Sequence, residues 1–109
     1  MGYKVVISPY AKRQLELFIG YTEIVLRNNQ AAKAIREDAI RTKRRLSNNP
    51  ERMAICRNEK LAVYGYRRIF FENYDFFMVY RIEGNLVIVD TMYHELQDYE
   101  NVFSQKMGL

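Results

Sequence analysis

The chain has 109 residues, the length of one domain with one core, taken here as 1–109. With 49% hydrophobic and 28% charged residues it has an ordinary soluble composition, which excludes a disordered chain, and no apolar run is long enough to cross a bilayer. The net charge of +4 suits contact with nucleic acid or an acidic protein without selecting either, so the placement of charge along the chain decides more than its total.

In chain order, Tyr3 to Ser8 is a short β-favouring run. Ser8-Pro9 then predicts a helix start, with a serine side chain to accept a free backbone N–H and a proline at the first helical position. Ala11, Leu15, Phe18, Thr22 and Val25, widened by Ile19 and Leu26, recur at helical spacing and predict one buried face. Asn28-Asn29 interrupts that helix and caps the next. The second stripe is Ala32, Ile35, Ala39, Thr42 and Leu46, with small alanines that suit close approach to a neighbour. Lys33, Arg36, Glu37, Arg41, Lys43 and Arg44 hold the opposite face, and Ser47 to Pro50 stops the helix. So short a link predicts an antiparallel helix hairpin.

Glu51 to Lys60 has little pattern and reads as a loop with room for a short strand. Three strands follow. In the first, Tyr64, Tyr66, Arg68 and Phe70 share one face, and Gly65, Arg67, Ile69 and Phe71 the other. Glu72-Asn73 turns the chain. In the second strand Phe76, Met78, Tyr80 and Ile82 alternate with Phe77, Val79 and Arg81. Glu83-Gly84 supplies a tight hairpin, and Leu86 to Val89 opens a last, nearly continuous apolar strand that ends near His94. The expected fold is α+β, in the order β-α-α-β-β-β. A helix hairpin packs on one face of a four-stranded, mainly antiparallel sheet and leaves the other face partly open.

The chemistry-bearing residues are few. Cys56 is the one cysteine and His94 the one histidine, so no disulfide, metal cluster or Ser-His-Asp arrangement is expected, and no cofactor. The absence of a charged-then-apolar leader points to the cytoplasm.

The order of these elements carries a resemblance. Ile7 to Ala11 and Asn29 to Ala32, the Arg67-Arg68-Ile69 strand, the Val79-Tyr80-Arg81-Ile82 strand, and Tyr93-His94 followed by Asp98-Tyr99 together resemble the RelE/ParE superfamily of bacterial toxins, from Tyr3 to Phe103. These belong to type II toxin–antitoxin and plasmid-stabilisation modules. The resemblance implies an antitoxin partner, small and usually acidic, and one of two activities. RelE-like members cut messenger RNA in the ribosomal A site; ParE-like members inhibit DNA gyrase. A homodimer and a toxin–antitoxin hetero-oligomer both stay open as assemblies.

Metal-free RNA cleavage needs an activated 2′-hydroxyl, a stabilised phosphate and a protonated leaving oxygen. For that reading the catalytic candidates are Arg68, His94 and Tyr99, with Lys60 as helper. Two departures argue against it: Glu95 follows His94 where that branch has tyrosine, and Phe77 stands where it has arginine. One oriented charged donor is worth on the order of 3 kcal/mol in the transition state. Arg81 lies four residues further on, about 13 Å along a strand, too far to substitute. The expected function is therefore ParE-like, with Arg67, Arg81, Arg41, Lys43, Arg44 and Arg45 as candidate nucleic-acid or target contacts. The alternatives are a RelE-like messenger-RNA endonuclease and an inactive, protein-binding member. Each cation also has a plain reading: a helix-end charge for the Arg41–Arg45 run, a solvated cross-strand charge for Arg81, and an ion pair with Asp90 or Glu95 for Arg67 or Arg68. His94 as the mere end of a strand is the plain reading of the imidazole.

Overall fold

The computed structural model describes residues 2–108. Strand β1 (Lys4–Ile7) leads into α1 (Pro9–Gly20), a π-helical turn (Tyr21–Val25) and α2 (Asn29–Asn48). A 3₁₀ turn (Pro50–Arg52) and the short α3 (Glu59–Val63) precede β2 (Arg67–Phe70), β3 (Phe76–Glu83), β4 (Leu86–His94) and α4 (Tyr99–Lys106).

The start of α1 follows from its first two residues. Ser8 Oγ accepts the Ala11 N–H at 3.0 Å, and Pro9 takes the first helical position. The same hydroxyl donates to the Asp90 carbonyl at 2.9 Å, so one side chain caps the helix and ties it to β4. Ser8→Ala removes both bonds. The expected loss is about 1–2 kcal/mol, read as a lower urea midpoint at unchanged slope.

The end of α1 departs from the predicted stripe. Thr22 is buried, but Val25 and Leu26 are 60% and 58% exposed. A π turn holds more residues than 3.6, so side chains after Tyr21 are rotated away from the phase set by Ala11 and Ile19. Arg27 then takes a left-handed backbone (φ 52°), and Asn28 caps α2 by accepting the Ala31 N–H at 2.9 Å. Along α2 the whole predicted stripe is buried.

The sheet order is β1-β4-β3-β2, with β1 parallel to β4 and the other pairs antiparallel. Gly84, with φ 59°, supplies the positive angle of the two-residue turn between Glu83 and Leu86. Val79 pairs with Thr91 but Tyr80 with Val89, so Asp90 is the extra residue of a β-bulge. Beyond the end of β1, the Gln14 side chain covers the free edge of β4. Its Oε1 accepts the Met92 N–H at 2.7 Å and the Thr91 hydroxyl at 2.8 Å.

Two cores flank the sheet. On one side Ile19, Ile35 and Leu46 of the helices pack on Ile69, Met78, Tyr80, Val87 and Val89. On the other, Leu61, Tyr99 and Phe103 pack on Phe77, Val79 and Tyr93. This second core corrects the expectation of a partly open face: α3 and α4 cover it. Helix α3 begins in the stretch that the sequence reads as loop and ends just before the expected strand. Its Asn58 cap accepts the Lys60 and Leu61 N–H groups, and Gly65 at φ 75° ends the turn, so β2 begins at Arg67 rather than Tyr64.

One charged residue sits on the buried side of α2. Asp38 is fully buried and accepts three backbone N–H groups from the β2–β3 turn: Glu72 at 3.0 Å, Asn73 at 2.8 Å and Tyr74 at 3.2 Å.

Candidate functional site

Strand alternation sends Arg67 and Arg68 to opposite faces. Arg67 turns back on its own chain and donates to the carbonyls of Glu51, at 3.2 Å, and Met53. Arg68 points into the α4 side. Its guanidinium lies 4.5 Å from the Tyr99 ring centre, 5.0 Å from that of Phe77 and 5.1 Å from that of Phe70. Among the described residues no carboxylate comes within ion-pair distance of it. The π faces supply the electrostatic attraction that a counter-ion would otherwise give. Phe77, at the position where a nuclease would carry arginine, is thus one wall of the Arg68 box.

Cys56 and Tyr99 share this box. Burial pushes the Cys56 thiol up, partly offset by the Tyr99 hydroxyl and the Arg68 charge. Burial also pushes the Tyr99 phenol up, with the Cys56 contact adding to it. At neutral pH both are uncharged, and neither is poised as a base or nucleophile.

His94 is not in the box. It pairs with Phe76 across the strands and lies edge-on to that ring at 5.2 Å, on the α1/α2 side of the sheet. Its Nδ1 accepts the Leu96 N–H at 3.1 Å, and its own N–H donates to Gln97 Oε1 at 2.8 Å. The bulge causes this placement. If Asp90 alternated as an ordinary strand residue, His94 would face away from Val87 and Val89; because Asp90 is bulged out of the ladder, all three face the helix hairpin. Of the nuclease candidates the structure brings together Arg68 and Tyr99. It puts His94 across the sheet and Lys60 on the exposed first turn of α3. Glu95 is exposed, and its backbone N–H donates to the Asp75 carbonyl.

The other candidate cations are mostly engaged. Arg81 pairs with Asp90 at 3.0 Å and with Glu83, and the Tyr66 hydroxyl donates to the same Asp90 carboxylate at 2.7 Å. The Asp90 partner expected for Arg67 or Arg68 thus belongs to Arg81. Arg41 lies 3.7 Å from both Asp38 and Glu72, while Arg45 approaches Glu72 at 3.8 Å and donates to the Phe70 carbonyl. Lys43 and Arg44 are exposed.

A second feature lies between the helices. A cavity of about 290 Å³ opens between α1 and α2 over the sheet, walled by Leu15, Ala39 and Ile40 and floored by Met78 and Met92. Lys12, Arg36 and Lys43 rim it, Arg36 being paired with Glu16 at 2.8 Å. Residue 39 makes room because it is alanine, and flexible methionines form an adaptable floor. Sequence reasoning named Lys43 but missed the groove. Its one signal was Ile40, an apolar residue on the charged side of α2 that is 52% exposed. Among the described residues no group of three His, Cys, Asp or Glu side chains is placed to hold a metal, and no helix is long and apolar enough to cross a membrane.

No protein of curated function matches the chain in sequence. Among solved structures, a chain of the chromosomal ParDE toxin–antitoxin system of P. aeruginosa superposes with a TM-score of 0.68 at 19% identity, covering 84% of this chain and 95% of that one. A chain of the RelBE2 toxin–antitoxin complex of Mycobacterium tuberculosis superposes with a TM-score of 0.56 at 21% identity, covering 86% and 99%. These likenesses establish the RelE/ParE fold. The family model described as the ParE toxin of the type II toxin–antitoxin system parDE matches residues 5–99, which is most of the sequence. The chain therefore belongs to the ParE toxin family of type II toxin–antitoxin systems.

Proposed function

We propose that this chain arrests growth by binding and inhibiting DNA gyrase in the cytoplasm, without catalysis of its own, and that a cognate antitoxin neutralises it by docking in the groove between α1 and α2. The observation that carries the first half is the separation of His94 from Arg68 and Tyr99 by the sheet. An acid–base pair must reach one substrate together, and these groups open on opposite sides. The neutral Tyr99 and the Phe77 wall add to the case. For the second half, an apolar trough with a cationic rim suits an amphipathic helix with acidic flanks.

The test is expression of the chain in a host with an intact target. Expected results are growth arrest, loss of negative supercoiling in plasmid DNA, and unchanged messenger-RNA ends on translating ribosomes. Cuts in ribosome-bound messages that disappear in His94→Ala would overturn the gyrase reading. One observation favours that nuclease alternative: among the described residues the Arg68 guanidinium has no carboxylate partner, which suits it to take a phosphate. Growth unaffected despite tight antitoxin binding would mark an inactive, protein-binding member instead.

A further inference from the structure

The outer face of α1 and its π turn is left largely exposed by the described residues. Leu17 and Ile24 are 72% and 73% exposed, and Tyr21 and Val25 are 56% and 60% exposed. Leu17, Tyr21 and Ile24 stand at i, i+4 and i+7 and so share one helix face, and the wider π turn swings Val25 toward it. Gly20 sits in that patch with ordinary helical angles, and a Cβ built on it meets nothing within 4 Å. No contact within the chain requires glycine there, although glycine inside a helix costs about 0.5–1 kcal/mol relative to alanine. A bare backbone beside a protruding leucine is half of a knob-and-hole pair.

We propose that this face pairs two copies of the chain, with α1 antiparallel to the partner's α1 about a two-fold axis between Phe18 and Ile19. A two-fold interface must be self-complementary, residue i meeting j as j meets i. An axis at that point sets Leu17 of each copy over Gly20 of the other, so the one feature explains both the exposed side chain and the missing one. The charges agree. Lys12 and Arg13 are exposed at the start of the helix, where Glu16 is already paired with Arg36, and Glu23 is exposed beyond its end, four residues before Arg27. Antiparallel pairing brings Arg13 of each copy toward Glu23 of the other and opposes the two helix dipoles. The four apolar side chains on both copies, with their surrounds, amount to roughly 1,000 Å² of buried surface, the lower limit for a specific contact and enough for a weak dimer. The groove between α1 and α2 opens on another flank, through Lys12 and Leu15, and stays accessible in such a pair.

The experiment is sedimentation equilibrium of the purified full chain up to about 100 μM, with two variants. The wild type is expected to show concentration-dependent dimerisation. Gly20→Arg is expected to weaken it at least about tenfold by filling the hole, while raising the melting temperature of the dilute monomer, because the side chain enters open space and removes a helix glycine. Leu17→Glu is expected to weaken association similarly with a native circular dichroism spectrum. A wild type that stays monomeric over this range overturns the proposal. So does dimerisation indifferent to both substitutions, or protection of this face from hydrogen exchange only when an antitoxin is bound.

Discussion

Asp38→Ala is expected to lower the unfolding free energy by about 3–5 kcal/mol, the largest loss from any single side-chain truncation on α2. The carboxylate is fully buried and holds three consecutive N–H groups of the β2–β3 turn. Each charge-assisted bond contributes about 1.5–3 kcal/mol, less what the exposed turn residues Glu72 and Asn73 recover from water. Arg41, 3.7 Å away, also loses its buried partner. The melting temperature should fall by at least about 12 °C, at roughly 4–8 °C per kcal/mol for a small domain. Asp38→Asn separates the contributions: it preserves one acceptor oxygen and should lose about half as much. The turn joins the strand that carries Arg68 to the strand that carries Phe77, so the same lash that stabilises the domain fixes the cation box. A loss below about 1 kcal/mol for Asp38→Ala would mean that the turn is held by the adjoining Phe71–Phe76 packing instead.

Asp38 also shows which kind of information the sequence withholds. Its position, three residues after Ile35 and one before Ala39, puts it on the buried stripe of α2, yet nothing local reveals that its partners are backbone groups more than thirty residues away. What was legible rests on local physics. Ser8-Pro9 caps α1 whatever it packs on, the α2 stripe keeps a 3.6 period from Ala32 to Leu46, and Gly84 suits a turn that needs a positive φ. The misses are departures from regular period or helices too short to show one. A π turn breaks the phase that would bury Val25 and Leu26. A single bulged residue, Asp90, reverses the facing of everything after it in β4, including His94. Helix α3 has five residues and α4 eight, and both are held by Leu61, Tyr99 and Phe103 in the second core rather than by intrinsic propensity. Candidates chosen by residue type and order assume strict alternation, and the bulge is why His94 lies across the sheet from Arg68 and Tyr99.

Ile40→Glu is expected to weaken antitoxin binding about a hundredfold while leaving the fold and the toxicity intact. Ile40 is a groove wall that is half exposed, so the substitution removes little buried area in the free chain and should change its stability by no more than about 0.5 kcal/mol. In the complex the carboxylate would be desolvated against an apolar segment, and it would also weaken the attraction of Lys12 and Lys43 for acidic flanks. Lys43→Glu is the control. It alters the rim without touching the apolar wall, so it should slow association and flatten its salt dependence while changing dissociation little. The measurement is binding kinetics against a cognate antitoxin, at two salt concentrations. A growth assay should agree: Ile40→Glu stays toxic and escapes rescue. Affinity unchanged in both variants would place the antitoxin elsewhere and leave the groove without a ligand. Loss of toxicity in Ile40→Glu with a native melting temperature would show instead that the target uses the same trough. In that case the antitoxin would neutralise by direct competition, because one cavity of this size cannot hold two occupants at once.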